Sequence, residues 1–306
     1  MRQVLITGAS GVLGSAVYNA FQSRGIDKVV GLAHSRPAPH LLQLDLLDEG
    51  KLEDLMNRLD IGDGDWIIHC AAERRPDVAE KDTQRCQNLN VSLPANLARH
   101  SALRGFTMIY ISTDYVFDGT SPPYLPGDET NPLQFYGRTK RDGERAGLET
   151  PGARFTALRV PVLYGPAPNN ADTAVNILLD VIQDQSEKKY DMDHFAVRYP
   201  TNVLDIAEFL VRLRGLGKPL PRVIHYSAGE PFTKYEMCLV LARILGLPHE
   251  HIIPQATPPQ DGTPRPINTQ LDVMETERLF YGSASEGLGW NGFEEWWSDY
   301  LRHPRV

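Results

Sequence analysis

Short apolar runs alternate with amphipathic stretches through the first half of the chain. Residues 2–6 form one such run, and Val12, Leu13, Ala16, Val17, Ala20 and Phe21 then recur at three- and four-residue steps, the mark of a helix with one buried face. Further apolar runs at 28–33, up to Leu44, at 66–70 and at 107–111 are predicted strands. The run at 66–70 is apolar almost throughout, as expected of a strand covered on both faces. This alternation continues to about Val162 and predicts an α/β fold with a parallel, doubly wound sheet. Beyond Tyr164 the rhythm changes to a turn-rich break at 165–170, a helix over 176–185 and an irregular polar stretch. A helix over 202–213 and a strand at 222–226 are expected to return to the first domain. The division that follows is one domain of residues 1–164 and 202–227, with a smaller, discontinuous lobe of 165–201 and 228–306. Within that lobe, Thr233 and Glu236 have capping-box spacing at the start of a helix over 233–245. The proline-rich stretch 254–266 is expected to be a rim loop, with Arg265 to Asn268 reaching substrate, partner or solvent.

Candidate chemistry begins at Thr7-Gly8-Ala9-Ser10-Gly11-Val12-Leu13-Gly14, which lies between the first strand and the first helix. Gly8 permits the turn, Gly11 lets a pyrophosphate approach the backbone and the helix N-terminus, and Gly14 lets the helix pack close to the sheet. The spacing is Gly-x-x-Gly-x-x-Gly rather than Gly-x-Gly-x-x-Gly, and its place between strand and helix makes it a Rossmann-like dinucleotide signal. Where an acidic residue would bind the ribose of NAD, the second strand runs into His34-Ser35-Arg36. Ser35 and Arg36 suit a 2′-phosphate, so NADP(H) is the predicted cofactor. Asp45 and Leu46 are placed to meet an adenine, although Asp45 serves equally well as a loop cap. Ala71 and Ala72 allow close approach to a ribose or nicotinamide, or are ordinary packing. Glu73 and Arg74, in the charged turn that follows, stand beside the predicted cleft, and Arg74 or Arg75 could meet an anionic group there.

Tyr136 and Lys140 lie four residues apart in a helix predicted over 132–149, and so share a face one turn apart. A phenol titrates near ~10, and a neighbouring ammonium brings it toward working pH. Such a pair also occurs by chance on solvated helices. The preceding nicotinamide-type loop, and Thr113 in Ser112-Thr113-Asp114-Tyr115, turn the balance toward hydride-transfer chemistry. His194 and Arg198 lie where the two lobes join and are candidate substrate contacts, His194 being equally readable as an ordinary loop histidine.

Length and composition leave that picture intact. The chain has 306 residues and 42% hydrophobic content, enough for a sizeable core, and its net charge of −8 argues against nucleic acid or an anionic membrane as partner. No run approaches the roughly 20 apolar residues of a membrane span, and the N-terminus begins directly with strand and glycine loop, so a cytoplasmic protein is expected. Cys70, Cys86 and Cys238 form neither a disulfide framework nor a metal pattern, and the nine histidines show no zinc spacing. No metal is expected.

The glycine loop, Ala71-Ala72, Asn90-Val91, Ser112-Thr113-Asp114 and Tyr136-x-x-x-Lys140 together resemble the extended short-chain dehydrogenase/reductase family. Ser-Thr-Asp-Tyr-Val-Phe-Asp-Gly at 112–119 resembles dTDP-4-dehydrorhamnose reductases. The stretches His69 to Val78, Met192-Asp193-His194, Arg198-Tyr199-Pro200-Thr201, Thr233 to Met237 and Gln270-Leu271-Asp272 resemble the regulatory beta subunits of methionine adenosyltransferase more closely. The reductase resemblance implies Tyr136 as proton donor to a small-molecule carbonyl substrate, Thr113 as a second hydrogen bond to its oxygen and Lys140 on the cofactor ribose. It also implies Asn90 on the cofactor side, and Asp114 and Tyr115 on the substrate side. The beta-subunit resemblance implies an NADP-binding regulator that docks on a methionine adenosyltransferase catalytic subunit. Two departures argue against nucleotide-sugar recognition: Val162 stands where the dehydrorhamnose reductases place a tryptophan, and Phe195-Ala196-Val197-Arg198 replaces their Asp-Gln-x-Gly run. Beta subunits carry a longer C-terminal tail. Here Trp296, Trp297, Tyr300 and Leu301 are left to act as a partner anchor or, more in keeping with a terminal helix, to tie the domain down.

Overall fold

The computed structural model describes residues 2–25, 27–258, 263–282 and 287–303. The strands are β1 Gln3–Thr7, β2 Lys28–Ala33, β3 Leu42–Gln43, β4 Trp66–His69, β5 Thr107–Thr113, β6 Arg154–Val160, β7 Leu163–Tyr164, β8 Tyr190–Asp193, β9 Thr201–Asn202, β10 Val223–His225 and β11 Ile252–Gln255. The helices are α1 Val12–Arg24, α2 Glu49–Leu59, α3 Pro76–Ala79, α4 Thr83–Gln87, α5 Leu93–Arg104, α6 Phe135–Leu148, α7 Ile177–Gln183, α8 Val203–Gly215, α9 Lys234–Leu245, α10 Met274–Tyr281 and α11 Phe293–Arg302. Part of the expected rim loop, residues 259–262, lies outside the described residues.

Seven strands form one sheet in the order β10-β6-β5-β4-β1-β2-β3, and every pairing is parallel. The apolar runs are continuous because both faces are covered. Val4, Ile6, Ile68, Ile109 and Leu158 pack under α1 and α8, whereas Leu5, Ile67, Met108 and Ala157 pack on the other face against α2 and α5. The chain order reverses between β1 and β4, which opens a crevice at their C-terminal ends.

A third core unites Tyr164, α7, α9, the parallel pair β8 and β11, and α11. Trp297 is fully buried there, so α11 ties down this lobe. The capping box of α9 is complete, with Glu236 N donating to Thr233 Oγ1 at 3.2 Å and Thr233 N donating to Glu236 Oε2 at 2.7 Å. Helix α10 contacts β10, and Leu279, Phe280 and Leu288 join the α1–α8 core. We therefore propose that residues 272–282 and Leu288 belong with the first domain. Among the described residues no helix is long and apolar enough to cross a membrane.

Candidate active site

The crevice holds a cavity of about 660 Å³ that runs from the glycine loop past the ends of β4 and β5 to the start of α9. Its floor is the turn between β1 and α1. Gly8 has φ 66°, and a Cβ there would stand 2.9 Å from Ala71 N. A Cβ on Gly14 would collide with the Gly8 carbonyl. The Gly11 amide donates to that carbonyl at 2.8 Å, and α1 begins with no side-chain cap. Its first amides are therefore open toward the cavity end, a cradle that fits a pyrophosphate. Ser10, Gly11, Val12 and Leu13 line it, with Ala71 and Ala72 opposite.

At the β2 end, Ser35, Arg36, Asp45 and Leu46 also line the cavity. Asp45 accepts from Leu47 N at 3.0 Å, which is the loop-cap reading, while its residue still faces the cavity. Arg36 Nη1 donates to Asp172 Oδ2 at 2.7 Å, and Arg74 Nη2 lies 4.0 Å from Asp172 Oδ1. Asp172 thus bridges two cations across the cavity mouth. No local pattern signals this pairing, because Arg36 and Asp172 are 136 residues apart.

Thr113, Tyr136 and Lys140 converge on the middle of the cavity. Burial pushes the Tyr136 phenol well above its ordinary value, against a hydrogen bond with Thr113 that pulls it down. A phenol is protonated at neutral pH in any case, so burial makes Tyr136 a weaker acid and does not bring it toward working pH as the sequence led us to expect. The charges that act on it most are Asp114, Tyr115 and Arg74, so the expected tuning by Lys140 is not the leading influence here. Lys140 Nζ instead donates to Ile111 O at 2.8 Å and sits 3.9 Å from the centre of the Tyr110 ring. Burial lowers its ammonium from 10.5 to about 7, with Glu144 and two thiols opposing. The Thr113 hydroxyl donates to Asp114 Oδ1 at 3.1 Å, so in this structure its proton is committed to a neighbour rather than free for a carbonyl.

Three expected site residues do not line the cavity. Asn90 lies in a π-helical turn, Asn88–Ser92, and is fully buried. Its side chain donates to Glu73 O at 3.0 Å and Thr139 Oγ1 at 3.1 Å, and its carbonyl accepts from Tyr110 OH at 3.0 Å. Its carbonyl thus holds the ring against which Lys140 sits. Glu73 turns away to accept from Arg75 N at 3.0 Å. His194 pairs with Thr233 Oγ1 at 2.9 Å and packs on the Tyr235 ring. Arg74, Asp114, Tyr115 and Arg198 do line the cavity, and Asp172, Thr173, Lys234 and Met237 were missed. Lys234 was hidden by its place in a helix-capping motif.

Residues 1–286 match the RmlD substrate binding domain. The chain belongs to that family. The RmlD-type chain is also 43% identical over 287 residues to methionine adenosyltransferase 2 subunit beta of Rattus norvegicus, covering 93% of this chain and 84% of that one. It is 28% identical to the dTDP-4-dehydrorhamnose reductase of Mycolicibacterium smegmatis, covering 94% and 81%. The solved dTDP-4-dehydrorhamnose reductase of Bacillus anthracis, in complex with NADP, superposes with a TM-score of 0.80 at 22% identity, covering 99% of each chain. That likeness establishes the fold, a Rossmann-like sheet of the extended short-chain dehydrogenase type.

Proposed function

We propose that this RmlD-type chain binds NADP(H) and reduces the carbonyl group of a small molecule, with Tyr136 as general acid. The observation that carries this reading is the convergence of Thr113, Tyr136 and Lys140 on one cavity whose floor is a glycine cradle shaped for a pyrophosphate. Arg36 and Ser35 are the proposed 2′-phosphate contacts, and Lys140 the contact to the nicotinamide ribose. The chemistry a bound NADPH supplies is hydride delivery to a carbonyl carbon. Tyr136, protonated at neutral pH like any phenol, donates its proton to the carbonyl oxygen as that oxygen gains negative charge. Asp114 holds Thr113 in place, so the Thr113 hydroxyl reaches the same oxygen once its proton is released from the carboxylate. The product is the alcohol, one hydride and one proton richer.

A second reading concerns the role of the same cofactor site, and the 43% identity to methionine adenosyltransferase 2 subunit beta favours it. In it the NADP(H)-loaded chain docks on a methionine adenosyltransferase catalytic subunit and works as a regulator with little turnover of its own. The site chemistry supports the first reading, and the kinship supports the second.

One experiment separates them. Purified protein and Tyr136→Phe are given NADPH with a panel of keto-sugars and small ketones, and binding to a methionine adenosyltransferase catalytic subunit is measured in parallel. The reductase reading expects NADPH oxidation that falls by about 10²–10⁴-fold in Tyr136→Phe. Stoichiometric binding without Tyr136-dependent oxidation would sink it, and turnover without a complex would sink the regulatory one.

A further inference from the structure

The end of the cavity beyond Tyr136 gathers three cations that neither the cofactor cradle nor the proton donor uses. Arg198, between β8 and β9, is only 4% exposed. Its Nη1 donates to Val197 O at 2.7 Å and Pro266 O at 3.0 Å, while its Nη2 is buried with no hydrogen-bond partner. The guanidinium lies 5.4 Å from the Tyr115 ring, which meets the Tyr136 ring edge-on at 6.3 Å. Lys234, the first residue of α9, and Arg265 line the same cavity. Among the described residues no carboxylate stands within ion-pair distance of either.

The carboxylates nearby are already engaged. Asp193 Oδ1 accepts from Phe195 N and Ala196 N, both at 2.9 Å. Asp114, which faces Arg198, accepts from Thr113 and Thr269, and burial raises its pKa. The Lys234 ammonium is pushed down to about 8, first by burial and then by repulsion from Arg265, with Arg198 adding to this and Asp193 opposing. The surroundings are cationic on balance. A buried guanidinium nitrogen without an acceptor is costly, and its natural complement is an oxyanion that arrives with a ligand.

We propose that this end of the cavity takes an anionic group, a carboxylate or a phosphate, that the substrate carries close to its carbonyl, with Arg198, Lys234 and Arg265 as its partners. The chemistry rests on the reductase reading above, whereas anion binding itself does not depend on turnover. The substrate class is then a short oxo acid or a phosphorylated ketone rather than a neutral ketone.

The test uses the full chain saturated with NADP⁺, which has no hydride to give. Pyruvate and dihydroxyacetone phosphate are titrated calorimetrically beside the neutral butanone and dihydroxyacetone. At least one charged probe is expected to bind about tenfold or more tightly than its neutral counterpart. Tighter pyruvate identifies a carboxylate site, and tighter dihydroxyacetone phosphate a phosphate site. Lys234→Met and Arg265→Gln are each expected to weaken that probe several-fold without changing the Kd for NADP⁺. These two are chosen because Arg198 also supports the backbone at Val197 and Pro266, so its loss would confound folding with binding. Equal binding of charged and neutral probes, or equal weakening of both by the variants, overturns the proposal. Assays with NADPH keep the two ideas apart. Saturable anion binding without any NADPH oxidation defeats the reductase reading and leaves the anion site standing. Turnover of neutral ketones as efficient as that of charged ones does the reverse.

Discussion

Lys140 and Tyr136 show how burial sets the chemistry of individual residues. Their four-residue spacing was legible in the sequence because it is one helical turn, but a spacing carries no dielectric. In the fold, desolvation lifts the phenol and lowers the ammonium from 10.5 to about 7. In the unfolded chain Lys140 keeps its ordinary value and binds more protons between those limits, so its contribution to stability rises with pH from about 7 toward 10.5. Urea unfolding of wild type and Lys140→Met between pH 6.5 and 9.5 is expected to show the difference shifting in favour of wild type by about 1.4 kcal/mol per pH unit at most. A flat difference would mean that the ammonium is not depressed. Asp172 gives a second test at this scale, because a 2′-phosphate on Arg36 must displace it. An ion pair as exposed as this one is worth about 1 kcal/mol or less, so Asp172→Asn is expected to tighten NADPH by up to about fivefold and to leave NADH little changed. Calorimetric titration with both cofactors decides it, and unchanged or weaker NADPH binding counts against Arg36 as the phosphate contact.

At the scale of elements, period and punctuation in the sequence carried most of the information. The strand runs, the glycine turn and the capping box all appear where the pattern puts them, since each depends on neighbours within a few residues. Elements whose role depends on what they pack against were less legible. Asn90, expected on the cofactor side, lies in a π-turn and joins the loop after β4 to α6 through its side-chain hydrogen bonds. The aromatic residues of α11 suited either a docking face or an internal anchor, and burial of Trp297 against Tyr164 and Phe293 selects the anchor for that residue. Trp297→Ala is expected to cost about 3–5 kcal/mol of stability in urea unfolding. A loss below about 1 kcal/mol would show that α11 is not part of the lobe core.

For the whole molecule, the cavity is a property of two regions that meet. The glycine turn, the end of β2 and the turn after β4 supply one wall, and the 170–177 segment, Arg198 and the start of α9 supply the other. A ligand that binds this cavity in the folded state alone raises stability by mass action. NADP⁺ at a hundredfold its Kd is expected to add about 2.7 kcal/mol, read as a rise in the unfolding midpoint, and an unmoved midpoint would remove the cofactor from the proposal.

The sequence by itself determined the alternation of strands and helices, the glycine turn and the spacing of Tyr136 and Lys140, because these are local consequences of side-chain period and backbone freedom. Only the tertiary structure decided that Asp172 closes on Arg36, that Asn90 supports rather than lines the site, and that Arg198, Lys234 and Arg265 share one end of a cavity. Each of those depends on residues far apart in the chain meeting in a common, water-poor space, where distance and desolvation outweigh anything the order of residues can encode.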